Sequence, residues 1–157
     1  MGRSRQIDYV PPADFDITAV GNAGTGEDDL VSEDLPANTL AEVGKMVRII
    51  AWGTGANNAN TKTVRVYIGS TAVVSLGLLA NSAQVWKAEI ILISTGTDTQ
   101  KYIAEGYRQS GSLVLIAVMG SDVLAEDDSA AITVKATGEA TADDDIVCEG
   151  IIFEDLN

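Results

Sequence analysis

The sequence predicts an all-β fold, a two-sheet antiparallel β-sandwich of jelly-roll type with an extended N-terminal arm. Three observations predict it. Apolar and polar residues alternate with period two in several short runs, as a half-buried strand requires. Turn-forming clusters interrupt these runs at short, even spacing. No ten-residue stretch sustains a helical apolar stripe, Asn38 to Val43 coming nearest.

Residues 1–26 differ in composition from the rest and read as the arm, with a disordered tail as the alternative. They hold Arg3, Arg5, Pro11-Pro12 and the run Gly21 to Gly26, with one short strand expected at Ile17 to Val20. Residues 27–157 then read as the sandwich domain. Strands are expected at Asp29 to Glu33, Val47 to Gly53, Lys62 to Ile68, Thr71 to Leu76 and Gln84 to Ile93. Further strands follow at Gln100 to Gln109, Ser112 to Met119, Ala131 to Thr137 and Ile146 to Glu154. Lys62 to Ile68 shows the alternation cleanly: Val64, Val66 and Ile68 face one way, Thr63, Arg65 and Tyr67 the other. Ala131 to Thr137 repeats it, with Ile132, Val134 and Ala136 against Thr133, Lys135 and Thr137. Turns are expected at Gly55 to Asn60, Gly77 to Ser82, Ser94 to Asp98, Ser110-Gly111, Gly120 to Asp122 and Gly138 to Asp145. Eight or nine strands at this spacing imply a sandwich or barrel, the two-sheet jelly roll above all.

Three segments break the alternation. Ile49 to Trp52, Ile90 to Ile93 and Leu113 to Met119 are apolar on successive residues, so both faces of those strands carry hydrophobic side chains. A lone sandwich buries only its inner faces. The outer ones need a cover, supplied by the arm folding back or by a neighbouring subunit. A homo-oligomer is the expectation, with Ile49, Trp52, Ile91, Ile93 and Val114 as candidate subunit contacts.

With 157 residues the chain has one domain's length. Ten Lys and Arg against 23 Asp and Glu give −13, a field that repels phosphate backbones and argues against a nucleic-acid-binding body. There is no histidine, which removes Ser-His-Asp and Cys-His hydrolases, common His-based metal sites and the ordinary neutral-pH general base. Aromatics are only 5% of residues, so Val, Ile, Leu and Ala must build the core. Cys148 is the single cysteine and allows no internal disulfide, in keeping with folding in a reducing cell. Met1 to Val10 has no apolar core of an export signal, and no window approaches a membrane span, so a soluble, non-exported protein is expected. Met1-Gly2 opens like a myristoylation signal, but Gln6 stands where Ser or Thr is required.

The remaining motifs carry little chemistry. Gly21 to Gly26 lacks the strand and helix that flank a dinucleotide fingerprint, and at Gly44-Lys45-Met46 a phosphate loop would need Ser or Thr in place of Met46 and Gly in place of Thr39. Acidic clusters at Glu27-Asp28-Asp29, Glu126-Asp127-Asp128 and Asp143-Asp144-Asp145 offer oxygen to a hard cation, but none has calcium-loop spacing and solvated turns explain them. No metal or cofactor is expected. A glycosidase pair among 23 acids has no spacing to recommend it, and the chain is expected not to be an enzyme. Trp52, Trp86, Tyr67, Tyr102 and Tyr107 suggest a sugar-stacking surface; their scatter over several strands equally suits a sparse core, and Trp86 alternates with Ala88, Ile90 and Leu92 as a core residue does.

The runs Leu35-Pro36-Ala37-Asn38-Thr39-Leu40, Val47 to Thr54 and Asn57 to Gly69, with Trp86-Lys87-Ala88-Glu89, Gln100-Lys101 and the closing strand Ile146 to Phe153, resemble β-sandwich virion proteins of tailed bacteriophages. The resemblance covers residues 33–154 and rests on structural rather than catalytic positions. It implies a virion protein, usually a trimeric jelly roll, made in the host cytoplasm. Only the arm precedes the sandwich, with no shaft of repeats or heptads, which favours a capsid decoration protein over a fibre tip. The expectation is a homotrimer on the capsid surface that bridges major capsid subunits, with Arg3, Arg5 and Tyr9 of the arm as the capsid or neighbour contact. The alternatives are a fibre domain recognising host polysaccharide and a carbohydrate-active enzyme.

Overall fold

The computed structural model describes residues 14–111 and 113–157, with the backbone alone for 113–119. The strands are β1 (Asp14–Asp16), β2 (Val20–Gly21), β3 (Gly26–Leu35), β4 (Met46–Gly55), β5 (Lys62–Ile68) and β6 (Thr71–Leu78). They continue with β7 (Gln84–Gly96), β8 (Thr99–Ser110), β9 (Leu113–Leu124), β10 (Ile132–Ala140) and β11 (Ile146–Asp155). The larger sheet runs β1-β11-β4-β7-β8-β9, with β2 also on β11, and the smaller runs β3-β10-β5-β6. Every pairing is antiparallel.

The order of pairing is that of a jelly roll. The chain crosses between sheets at β2 to β3, β3 to β4, β4 to β5, β6 to β7, β9 to β10 and β10 to β11, so early strands pair late ones: β1 and β4 with β11, and β3 with β10. The β8–β9 hairpin extends the larger sheet beyond that pattern. Two all-β sheets with apolar inner faces stack to bury them. The core is aliphatic: Val64, Val66, Ile68, Leu76 and Val134 from the smaller sheet face Ile49, Ala51, Ile90, Leu92, Ile151 and Phe153 from the larger. Gly53 makes room for Trp86, since a Cβ there would stand 2.8 Å from the indole ring.

The sequence reading needs correction in three places. Ile17 to Val20 is not one strand; β1 ends before it, β2 begins at Val20, and both pair with β11 of the same chain. Gly120 to Asp122 is not a turn, because each of those residues has a ladder partner on β8, at Ala104, Ile103 and Tyr102. A continuous ladder overrides local turn preference. Asn38 to Val43 is a series of turns, with Asn38 at φ 66° and only Leu40 entering the core.

Candidate functional site

The outer faces of the two sheets differ in kind. On the smaller sheet the register brings Glu27, Asp29, Asp34 and Glu139 outward with Arg65, Lys135, Tyr67 and several hydroxyls. Arg65 lies 3.1 Å from Glu27 and 2.8 Å from Glu139, and Lys135 lies 2.8 Å from Asp29. Burial alone would raise Glu27, yet hydrogen bonds from Thr137 and Tyr67 and the Arg65 charge hold it below the ordinary carboxylate range. Thr137 faces outward as expected, opposite Arg65 and Asp29, and is buried there beneath its neighbours, donating to Glu27; the bulge beside it lies in β3, where Leu30 is the extra residue.

The larger sheet presents an aliphatic face. Ile91 lies opposite Ile103 and Ile50 opposite Ile152, which in turn lies opposite Phe15 of β1. Ile103 is 45% exposed, Phe15 55% and Val123 51%, high values for side chains of this type on regular strands. Trp52 packs over Gly150 on the same face; a Cβ at Gly150 would lie 2.6 Å from the Trp52 ring. An ion-pair cluster sits within this face. Arg48 lies 2.9 Å from Glu89 and 3.2 Å from Glu154, and Lys87 lies 2.8 Å from Glu89. The hydrogen bond from Lys87 comes first in holding Glu89 below its usual range; burial opposes it, and the Lys87 and Arg48 charges reinforce it. Lys87 also stands 5.0 Å from the centre of the Tyr107 ring, whose hydroxyl donates to Glu105.

This face gathers some of the residues singled out in the sequence and not others. Trp52, Ile91 and Ile93 lie on it, half-buried. Ile49 does not: it is fully buried in the sandwich, because a side chain three residues before Trp52 on one strand points to the opposite side. The outward isoleucine of that strand is Ile50, which the same alternation identifies. The Val114 side chain lies outside the described residues, as do Arg3, Arg5 and Tyr9. Phe15, Ile103 and Ile152 carried no sequence signal of their own, since their exposure depends on which strands are neighbours.

The aromatic residues do not share a surface. Trp86 is core, its indole N–H donating to the Thr54 carbonyl at 3.2 Å, and Tyr102 packs against the core. Tyr67 is on the smaller sheet's outer face with Lys135 5.4 Å from its ring centre, while Trp52 and Tyr107 are on the larger. The ring faces of Tyr67 and Tyr107 thus each meet a lysine of the same chain.

The acidic clusters hold loops. Asp145, almost fully buried, accepts from Asn58, from Asn60 at 2.8 Å and from the Ala142 N–H at 3.0 Å. Its burial would raise it, but those donors keep it below the usual range. Buried Lys62 donates beside them to the Asn58 and Asn60 carbonyls. Asp128 accepts from the Asp98 N–H at 3.0 Å and from Gln100 at 2.6 Å, and Asp98 accepts from the Asp128 N–H at 3.0 Å. Among the described residues no group of three or more His, Cys, Asp or Glu is placed to hold a metal ion. Burial pushes the Cys148 thiol up to about 11, which leaves it un-ionised at neutral pH.

No family model matches the chain, and no curated protein matches it. Among solved structures it is similar to the CBM2 module of the evolved Dit of Lactobacillus casei BL23 phage J-1, at 10% identity and a TM-score of 0.31, over 78% of this chain and 66% of that one. The chain therefore spans just under two thirds of that module's length, and a superposition this loose transfers neither ligand nor role.

Proposed function

We propose that the chain is a non-enzymatic virion protein of a tailed bacteriophage, a capsid decoration protein that works as a homotrimer and bridges major capsid subunits. One observation carries the reading: a strongly acidic jelly roll presents, on its larger sheet, a broad apolar face of the sort used for protein contact. The sequence resemblance supplies the virion context. In this reading the arm, through Arg3, Arg5 and Tyr9, makes the shell contact. A protein that binds only the assembled, expanded shell stabilises that state by mass action. The test is co-sedimentation of the purified chain with expanded capsids of the same virus. Saturable binding is expected, lost on deleting residues 2–13, a deletion that leaves β1 and its pairing with β11 in place. Absence of binding by the full chain overturns the proposal.

A second reading, recognition of host polysaccharide, is favoured by the polar groove of about 480 Å³ lined by Glu27, Asp29, Tyr67, Ser70, Lys135 and Thr137. Binding on a glycan array that is abolished by Tyr67→Ala would establish it in place of the first.

A further inference from the structure

We infer that the occupant of the larger sheet's outer face is a second copy of this chain. The inference takes from the proposed function only that this face is a protein contact. Charge selects the partner. The chain carries −13, so two copies repel wherever carboxylates prevail. On the outer face of the smaller sheet four acids, Glu27, Asp29, Asp34 and Glu139, stand against Arg65 and Lys135. On the larger sheet the outward positions of β4, β7, β8 and β11 hold Arg48, Lys87 and Lys101 against Glu89, Glu105 and Glu154, an even balance apart from Glu149 in the β11 bulge. A cationic partner would be drawn to the acidic surfaces and would gain nothing electrostatic here. An identical acidic body finds here a sheet face where the excess is the single carboxylate of Glu149, and around a threefold axis the cations of the mixed-sign cluster are able to meet the carboxylates of the next copy.

Size agrees with charge. Five long strands, β11, β4, β7, β8 and β9, spaced about 4.8 Å apart and about ten residues long at about 3.3 Å per residue, make a face on the order of 800 Å². That is about what each partner contributes to a standard stable interface. Aliphatic side chains surrounding the Arg48 cluster supply the apolar component, while the cluster fixes the orientation in which two faces meet.

The test is the solution mass of the purified chain by light scattering over a broad dilution series. A whole multiple of 16.4 kDa is expected for the wild type, three copies giving about 49 kDa. Ile103→Glu should return the mass to 16.4 kDa, a threefold fall for a trimer, with an unchanged far-ultraviolet circular dichroism spectrum, whereas Thr133→Glu on the smaller sheet should leave the assembly intact. If Ile103→Glu does not fold, Val123→Glu on the same face serves in its place. A wild-type mass of 16.4 kDa throughout, or an assembly untouched by both substitutions, overturns the inference. An assembly that Ile103→Glu dissociates but that binds no capsid leaves the inference standing and removes the decoration reading. A monomer whose capsid binding is lost with Ile103→Glu does the reverse, since the face then docks the shell.

Discussion

The two outer faces of this sandwich are made by the same kind of strand in the same antiparallel arrangement, yet one is built for water and the other is not. On the smaller sheet almost every outward position is charged or hydroxylated, and its ion pairs are spread along β3, β10 and β5. On the larger sheet the charges are drawn together around Arg48 and Glu89, and isoleucines occupy the positions around them. The difference singles out the larger face for the proposed contact. Covering the exposed side chains of the second arrangement would recover part of the roughly 1.5 to 3 kcal/mol that a fully buried aliphatic side chain is worth, which is the basis of the proposed contact.

The two tryptophans give the comparison its largest test. Trp86→Ala removes a buried ring from the core and should lower folding stability by about 3 to 5 kcal/mol in chemical denaturation. Trp52→Ala, on the outer face, should cost a lone copy much less, under about 1.5 kcal/mol, and show its effect instead as a loss of assembled mass. Equal losses of folding stability would mean that Trp52 belongs to the core and that the larger face is no contact surface. Next in size is Gly150→Ala, whose added methyl meets the Trp52 ring at 2.6 Å and the Asp16 carbonyl at 3.0 Å. A thermal-melt loss equivalent to about 1 to 3 kcal/mol is expected from this overpacking.

Smaller effects separate the charge clusters. Arg48→Met and Arg65→Met should each change folding stability by no more than about 1 kcal/mol, since both sites remain partly exposed. Arg48→Met should in addition weaken assembly, which Arg65→Met should leave alone. The least effect concerns acid. Glu27 and Glu89, one on each face, both titrate below the ordinary carboxylate range in the folded chain. Their contribution is therefore complete above the unfolded carboxylate pKa and disappears as pH falls through their lowered folded values. Glu33 runs the other way: burial first, then Asp14, Asp16 and Asp34, raise it, so its protonation on acidification relieves the fold. Denaturation midpoints measured from neutral pH downward should fall less steeply in Arg65→Met, where Glu27 loses one of the groups that lower it.

Much of the fold was legible because period two survives wherever one face is wet. Lys62 to Ile68 and Ile132 to Ala136 were readable residue by residue, since a polar outer face marks the phase of the alternation. The same logic fails at Ile49 to Trp52: with both faces apolar the phase is invisible, and Ile49, a candidate for the outer face, belongs to the core. It fails at Gly120 to Asp122 because a neighbouring strand imposes a ladder on residues that favour turns. Of the candidate surface, Trp52, Ile91 and Ile93 were legible from unbroken apolar runs. Phe15 and Ile152 were not, because their meeting depends on β1 docking beside β11, about 135 residues later in the chain.

Composition and alternation by themselves determined an acidic, aliphatic, all-β chain without histidine chemistry, because those properties belong to residues and their nearest neighbours. Tertiary structure alone decided which strands lie side by side, and hence that three cations stand among three carboxylates and Glu149 on one face while four acids stand against two cations on the other. The reason is physical. A side chain's partner across a sheet is chosen by backbone hydrogen bonds between segments far apart in the chain, and no local pattern encodes that choice.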